Sequence, residues 1–151
     1  MSSLPPLLSA NTLLNQQRVE SSRFELKAGW NDHTKAAIVR TICAFANDLH
    51  NVKGGYLILG VEDHNGTPVL PPSGLDPHTL EQLQKEIAGQ VKQWIRPEYN
   101  PRISPEQVDG RYVLVLYCPT GPNRPYSAPE KHEKKQAAVP WERVNSETKR
   151  A

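Results

Sequence analysis

A glycine pair followed by an apolar run, Gly54-Gly-Tyr-Leu-Ile-Leu-Gly-Val61, constrains this chain more than any other feature. A strand with one face in water would alternate apolar and polar residues. An unbroken run instead suits a strand covered on both faces, so Tyr56–Val61 is expected at the centre of a sheet. The glycines ahead of it admit positive φ where the chain turns in. Asn65-Gly66 follows, a strong type I′ hairpin signal, and Thr67–Leu70 is expected to fold back as a partner strand. Asp109-Gly110 marks a second hairpin between Arg102–Val108 and Arg111–Cys118.

The flanking patterns supply what covers that strand. Phe24 and Leu26 alternate with Glu25 and Lys27, as in a half-buried strand whose polar pair shares one face. Ile38, Ile42, Phe45 and Leu49 recur at helical spacing, predicting a helix over 35–50 capped by Asp32 or Thr34. A second helix is expected from Asp76 as N-cap and Pro77 at the first helical position, with Leu80, Leu83, Ile87, Val91 and Trp94 inward and Pro97 as its stop. Residues 119–136 read as a long surface loop, and Ala138–Val144 as a last strand. Residues 1–16 are expected to be a flexible arm, with a short helix near Thr12–Arg18, leaving 17–151 as one domain. The order argues for an α+β fold, a mixed sheet with two main helices packed against it.

Charge balance decides little, because 18 Lys and Arg stand against 16 Asp and Glu. Any polyanion partner must be recognised by local clustering. Cys43 falls in a helical pattern and Cys118 in a strand pattern, so both are expected as small buried hydrophobes in a reducing cytoplasm. No apolar run reaches the ~18–20 residues needed to span a bilayer. The five histidines show no metal-ligand spacing. Gly54-Gly55 lacks the Gly-x4-Gly-Lys-Ser/Thr pattern, so an ATP site is unsupported.

Three carboxylates stand near the predicted sheet: Glu20, Glu25 and Asp63. Converging on one point, they would suit Mg²⁺ or Mn²⁺ beside a phosphodiester, with Lys27 on a developing negative charge. Each also has a plainer role. Glu25 and Lys27 make an ordinary strand-edge pair, and Asp63 can serve the Asn65-Gly66 turn. Among the cations, Arg23, Lys53, Arg124 and Arg143, together with Lys27 and the hydroxyl of Ser146, are candidates for phosphate contact. Tyr126 and Trp141 can stack on unpaired bases or lie beside a loop.

The strings Glu20-x4-Glu25-Leu-Lys27, Ile42-Cys-Ala-Phe-Ala-Asn47 and Gly54-Gly-Tyr-Leu-Ile-Leu-Gly-Val-Glu-Asp63 resemble the Schlafen AlbA_2 domain. Arg96-Pro97, the Tyr112–Pro119 strand, Arg124-Pro125-Tyr126 and Trp141-Glu-Arg-Val-Asn-Ser146 agree in order, so the resemblance covers about 17–151. It implies nucleic-acid binding, mainly through phosphates, by a domain at the N-terminal end of a bacterial transcriptional regulator. The alternative it implies is a divalent-metal nuclease built on Glu20, Glu25 and Asp63. A protein-interaction module, including a homodimer, is the third reading.

Overall fold

The computed structural model describes residues 9–16, 23–50, 53–133 and 136–151. In chain order its elements are α1 (Ala10–Gln16), β1 (Phe24–Lys27), α2 (Lys35–Asn47), β2 (Gly55–Leu59), β3 (Asp63–His64), β4 (Thr67–Pro68), α3 (Leu80–Trp94), β5 (Arg102–Val108), β6 (Arg111–Cys118), β7 (Ser127–Pro129), β8 (Ala138–Val144) and β9 (Glu147–Arg150). The main sheet has the order β1-β2-β6-β5. β2 runs parallel to β1 and antiparallel to β6, so the sheet is mixed, as expected. All five residues of β2 are buried, as an apolar run between two covered faces requires.

Each face has its own core. Leu57, Leu59, Leu114 and Leu116 point toward α2 and α3, meeting Ile38, Ile42, Phe45, Ile87 and Val91. Phe24, Leu26, Tyr56, Ile58, Val113, Val115 and Tyr117 point the other way, toward Leu13 and Leu14 of α1. A second sheet, β7-β8-β9, packs on α2. Asn47 at the last turn of α2 ties it down. Its buried amide donates to the carbonyls of Tyr126 and Trp141, each at 2.9 Å, and its Oδ1 accepts the Tyr126 N–H at 2.6 Å.

Both hairpin signals form type I′ turns. Asn65 and Gly66 have φ of 53° and 83°, Asp109 and Gly110 of 52° and 77°. Several boundaries differ from expectation, each for a local reason. β2 stops at Leu59 because the Lys27 carbonyl takes the N–H groups of both Gly60 and Val61. The return strand after Asn65-Gly66 shrinks to two residues, since Pro68 has no N–H to donate. α2 ends at Asn47, where Asp48 adopts a left-handed conformation, and Leu49 emerges 49% exposed instead of joining the core. α3 begins at Leu80, not Pro77, because Asp76 is spent on a turn through the N–H groups of His78 and Thr79.

The short helix expected near Thr12–Arg18 forms as α1 but starts earlier, at Ala10, inside the stretch expected as an arm, and the Ala10 N–H donates to the Glu106 carboxylate at 2.7 Å. The loop expected over 119–136 contains β7 and buries Tyr126 and Ala128 completely.

Candidate functional site

β1 presents Glu25 on the face shared with α2, and there β8 meets it. Arg143 Nη1 donates to Glu25 Oε2 at 3.1 Å and to Thr148 Oγ1 at 3.1 Å, while Nη2 donates to the Phe24 carbonyl at 3.2 Å. The guanidinium carbon also sits 5.2 Å from the centroid of the Phe45 ring. Only 4% of the Arg143 side chain and 10% of that of Glu25 are exposed. Burial lowers the Arg143 pKa, and Glu25 opposes that by attraction and hydrogen bonding. This corrects the expectation that Arg143 meets phosphates from a strand surface. It is committed inside the protein, closing β8 onto β1.

The carboxylate trio divides. Glu20 lies outside the described residues. Glu25 is held by Arg143. Asp63 is exposed on the β3–β4 hairpin, and its Oδ2 accepts the Gly66 N–H at 3.1 Å, the turn-serving role. Among the described residues, no group of three metal-ligating side chains gathers. Lys27 is half-buried at the far end of β1, where the chain leaves for α2. Tyr126 and Trp141 have 0% and 4% of their surface exposed, so neither can stack on a base.

The cations settle differently. Arg23, Lys53 and Arg124 are all exposed, and all lie at the end of the main sheet where β1 and β2 begin. The carbonyl of Arg23 accepts the Tyr56 N–H at 2.8 Å. Lys53 enters β2 through a left-handed φ of 69°, its N–H donating to Asp48 Oδ2 at 2.9 Å. Arg124 Nη1 donates to the carbonyls of Asn47 and Asp48, at 3.1 and 3.3 Å. It thereby satisfies the carbonyl end of α2, where a cation is favoured. Buried Asp48 organises the corner, taking the Thr120 hydroxyl as well as the Lys53 amide. Ser146 is exposed in the β8–β9 turn, after Asn145 at φ 55°.

Sequence reasoning did not anticipate a row that crosses the whole sheet at this same end. Phe24, Tyr56, Tyr117 and Arg102 are successive register partners on β1, β2, β6 and β5. The Tyr56 and Tyr117 rings stack with centroids 4.9 Å apart. The alternation of β5 placed Arg102 on a strand; only the pairing of β5 to β6 puts it beside Tyr117.

Other clefts are less built. A cleft of about 450 Å³ lies between the start of α2 and the Glu130–Glu133 segment, bordered by Lys35, Arg40 and His132. His132 stacks on Trp94 at 4.6 Å, and burial together with Lys35 and Arg40 lowers its pKa to about 4. Cys43 and Cys118 are both buried free thiols; burial raises the Cys43 pKa to about 12 and that of Cys118 still higher. No helix among the described residues is long and apolar enough to cross a membrane.

Comparison with known proteins agrees with this architecture. The family model described as Schlafen, AlbA_2 matches residues 20–151. Among solved structures, the chain is similar to the N-terminal domain of an ATP-dependent DNA helicase RecG-related protein from Nitrosomonas europaea. The two are 33% identical with a TM-score of 0.60, covering 76% of this chain and 74% of that one. It shares a fold with the DIP2311 protein of Corynebacterium diphtheriae, 19% identical with a TM-score of 0.57, covering 87% of this chain but 26% of that one. No curated protein matches. With nearly the whole described domain inside the match, the chain belongs to the Schlafen AlbA_2 family.

Proposed function

We propose that this domain binds nucleic acid, mainly through its phosphates, as a module of a bacterial regulator-like protein. The observation that carries the reading is the grouping of Arg23, Lys53 and Arg124 at one end of the main sheet. Each is exposed, and each is anchored by its backbone or guanidinium to an ordered element. Rigid cations lose less entropy on meeting a phosphate than cations on mobile loops. The similarity to a domain of a DNA helicase RecG-related protein points the same way. The metal-nuclease alternative draws no support from Glu25 or Asp63, because both are engaged within the protein.

Fluorescence anisotropy with labelled single- and double-stranded oligonucleotides, titrated with salt, tests the proposal. Phosphate-led binding to duplex loses affinity with a log–log slope of about −0.9 per neutralised phosphate. Three contacts give a slope near −2.7 by that relation. Absence of binding to every DNA and RNA form at low salt would overturn the proposal.

A further inference from the structure

The β3–β4 turn holds the parts of a covalent reaction in a shut arrangement. An asparagine followed by glycine can cyclise. The glycine nitrogen gives up its proton and bonds to the side-chain carbon Cγ, and Nδ2 departs as ammonia. Water then opens the succinimide at either carbonyl, leaving aspartate or isoaspartate. Asn65-Gly66 is such a pair, and Asn65 is exposed to water. The turn opposes the step in two ways. Asn65 is left-handed, with φ 53°. A left-handed residue has ψ of about +47°, which sets the next nitrogen nearly anti to the residue's own Cβ. Ring closure needs the two nearly eclipsed, so the turn must open first. The second obstacle is Asp63, whose Oδ2 accepts the Gly66 N–H at 3.1 Å. That bond holds the attacking nitrogen in the turn, and the negative carboxylate beside it disfavours loss of its proton.

We infer that Asn65 is a latent deamidation site and that Asp63 is its latch. The rate of modification is then set by local opening of the β3–β4 hairpin. The product does not fit the closed turn. Isoaspartate adds one carbon to the main chain inside a two-residue loop, so the pairs His64↔Thr67 and Asp63↔Pro68 cannot both persist. Either product also places a second carboxylate near Asp63. The hairpin faces Leu14 and Asn15 of α1 across a cleft of about 270 Å³, so modification loosens the cover on that side of α1. The inference is independent of the nucleic-acid reading, because it uses none of Arg23, Lys53 and Arg124.

The test incubates the full chain at neutral pH and physiological temperature and follows the proteolytic peptide containing Asn65 by mass spectrometry over time. Isoaspartate is separated from aspartate by chromatography. A synthetic acetylated peptide of residues 62–68 has the same local sequence without the folded turn and supplies the unlatched rate. The folded chain should deamidate at least about tenfold more slowly than this peptide. Asp63→Ala in the full chain should raise the rate about fivefold, the factor that a typical net hydrogen bond represents. Circular dichroism establishes that the variant is folded. Asp109-Gly110, a turn of the same type, is an internal control, and its isoaspartate content should not change in Asp63→Ala. A rise there as well would place the effect in global unfolding and refute the latch. Deamidation of the wild-type chain at the peptide's rate would also refute it. So would an Asp63→Ala rate equal to wild type, or a slower one, which would make the carboxylate a base that assists the step.

Discussion

Replacing Arg143 by Met tests whether its ion pair is structural. Met keeps most of the apolar stem that lies over the Phe45 ring, but removes the charge and three hydrogen bonds, to Glu25, Thr148 and the Phe24 carbonyl. What remains is a carboxylate with 10% of its side chain exposed and no guanidinium beside it. Removing one partner of a buried pair costs about 3–5 kcal/mol, mostly because the other charge is stranded. With a urea m-value of about 2 kcal/mol/M for a small domain, the unfolding midpoint should fall by ~1.5–2.5 M. Urea melts followed by circular dichroism measure this directly. The double substitution Glu25→Leu/Arg143→Met removes the stranded charge and should recover most of the loss. Oligonucleotide affinity of the folded Arg143→Met variant should stay within twofold of wild type. A midpoint shift worth under ~1 kcal/mol, the range of an exposed pair, would refute the argument. So would a loss of affinity without a loss of stability.

Other perturbations follow from the packing. Gly55→Ala would place a Cβ 2.4 Å from the Phe45 ring and 2.8 Å from the Arg23 carbonyl, so it should cost about 1–3 kcal/mol in the same urea assay. Asn47→Ala leaves the Tyr126 N–H and the Tyr126 and Trp141 carbonyls without their partner, and should destabilise by at least ~1–3 kcal/mol. His132 has a folded pKa of about 4, below its ordinary 6.5, so the unfolded chain takes up the proton first as pH falls. Its contribution is therefore intact above pH 6.5 and lost as pH falls toward 4; His132→Gln should show a flatter decline in urea midpoint across that window.

Local chemistry made the hairpins and the buried strand legible, and long-range geometry hid the rest. Asn65-Gly66 and Asp109-Gly110 require positive φ at both turn positions, so two residues fixed each turn. The end of α2 was misplaced because Leu49 continues the apolar stripe, and only the turn at Asp48 breaks it. β7 was hidden within a Pro- and Lys-rich segment whose pairing to β8 is a tertiary event. β9 carries Glu, Thr, Lys and Arg, with no apolar face to announce a strand. The fate of Arg143 was invisible for the same reason. A lone arginine in a strand pattern reads as surface until something reveals that Glu25 is buried opposite it. Arg23, Lys53 and Arg124 kept the exposure expected of them, but their common location depends on strand order.

The Glu25–Arg143 contact joins residues 118 positions apart in sequence. A chain emerging from the ribosome therefore carries an unmatched acid on β1 until β8 has been made. Non-local closures of this kind slow folding, because loop entropy is lost before the contact forms. The main sheet can assemble around β2 and β6 beforehand, but β8 must arrive before Glu25 can be sealed under it. Completion of the domain is thus coupled to synthesis of its last strands, and a nascent chain halted short of β8 would hold a hydrated cleft beside β1.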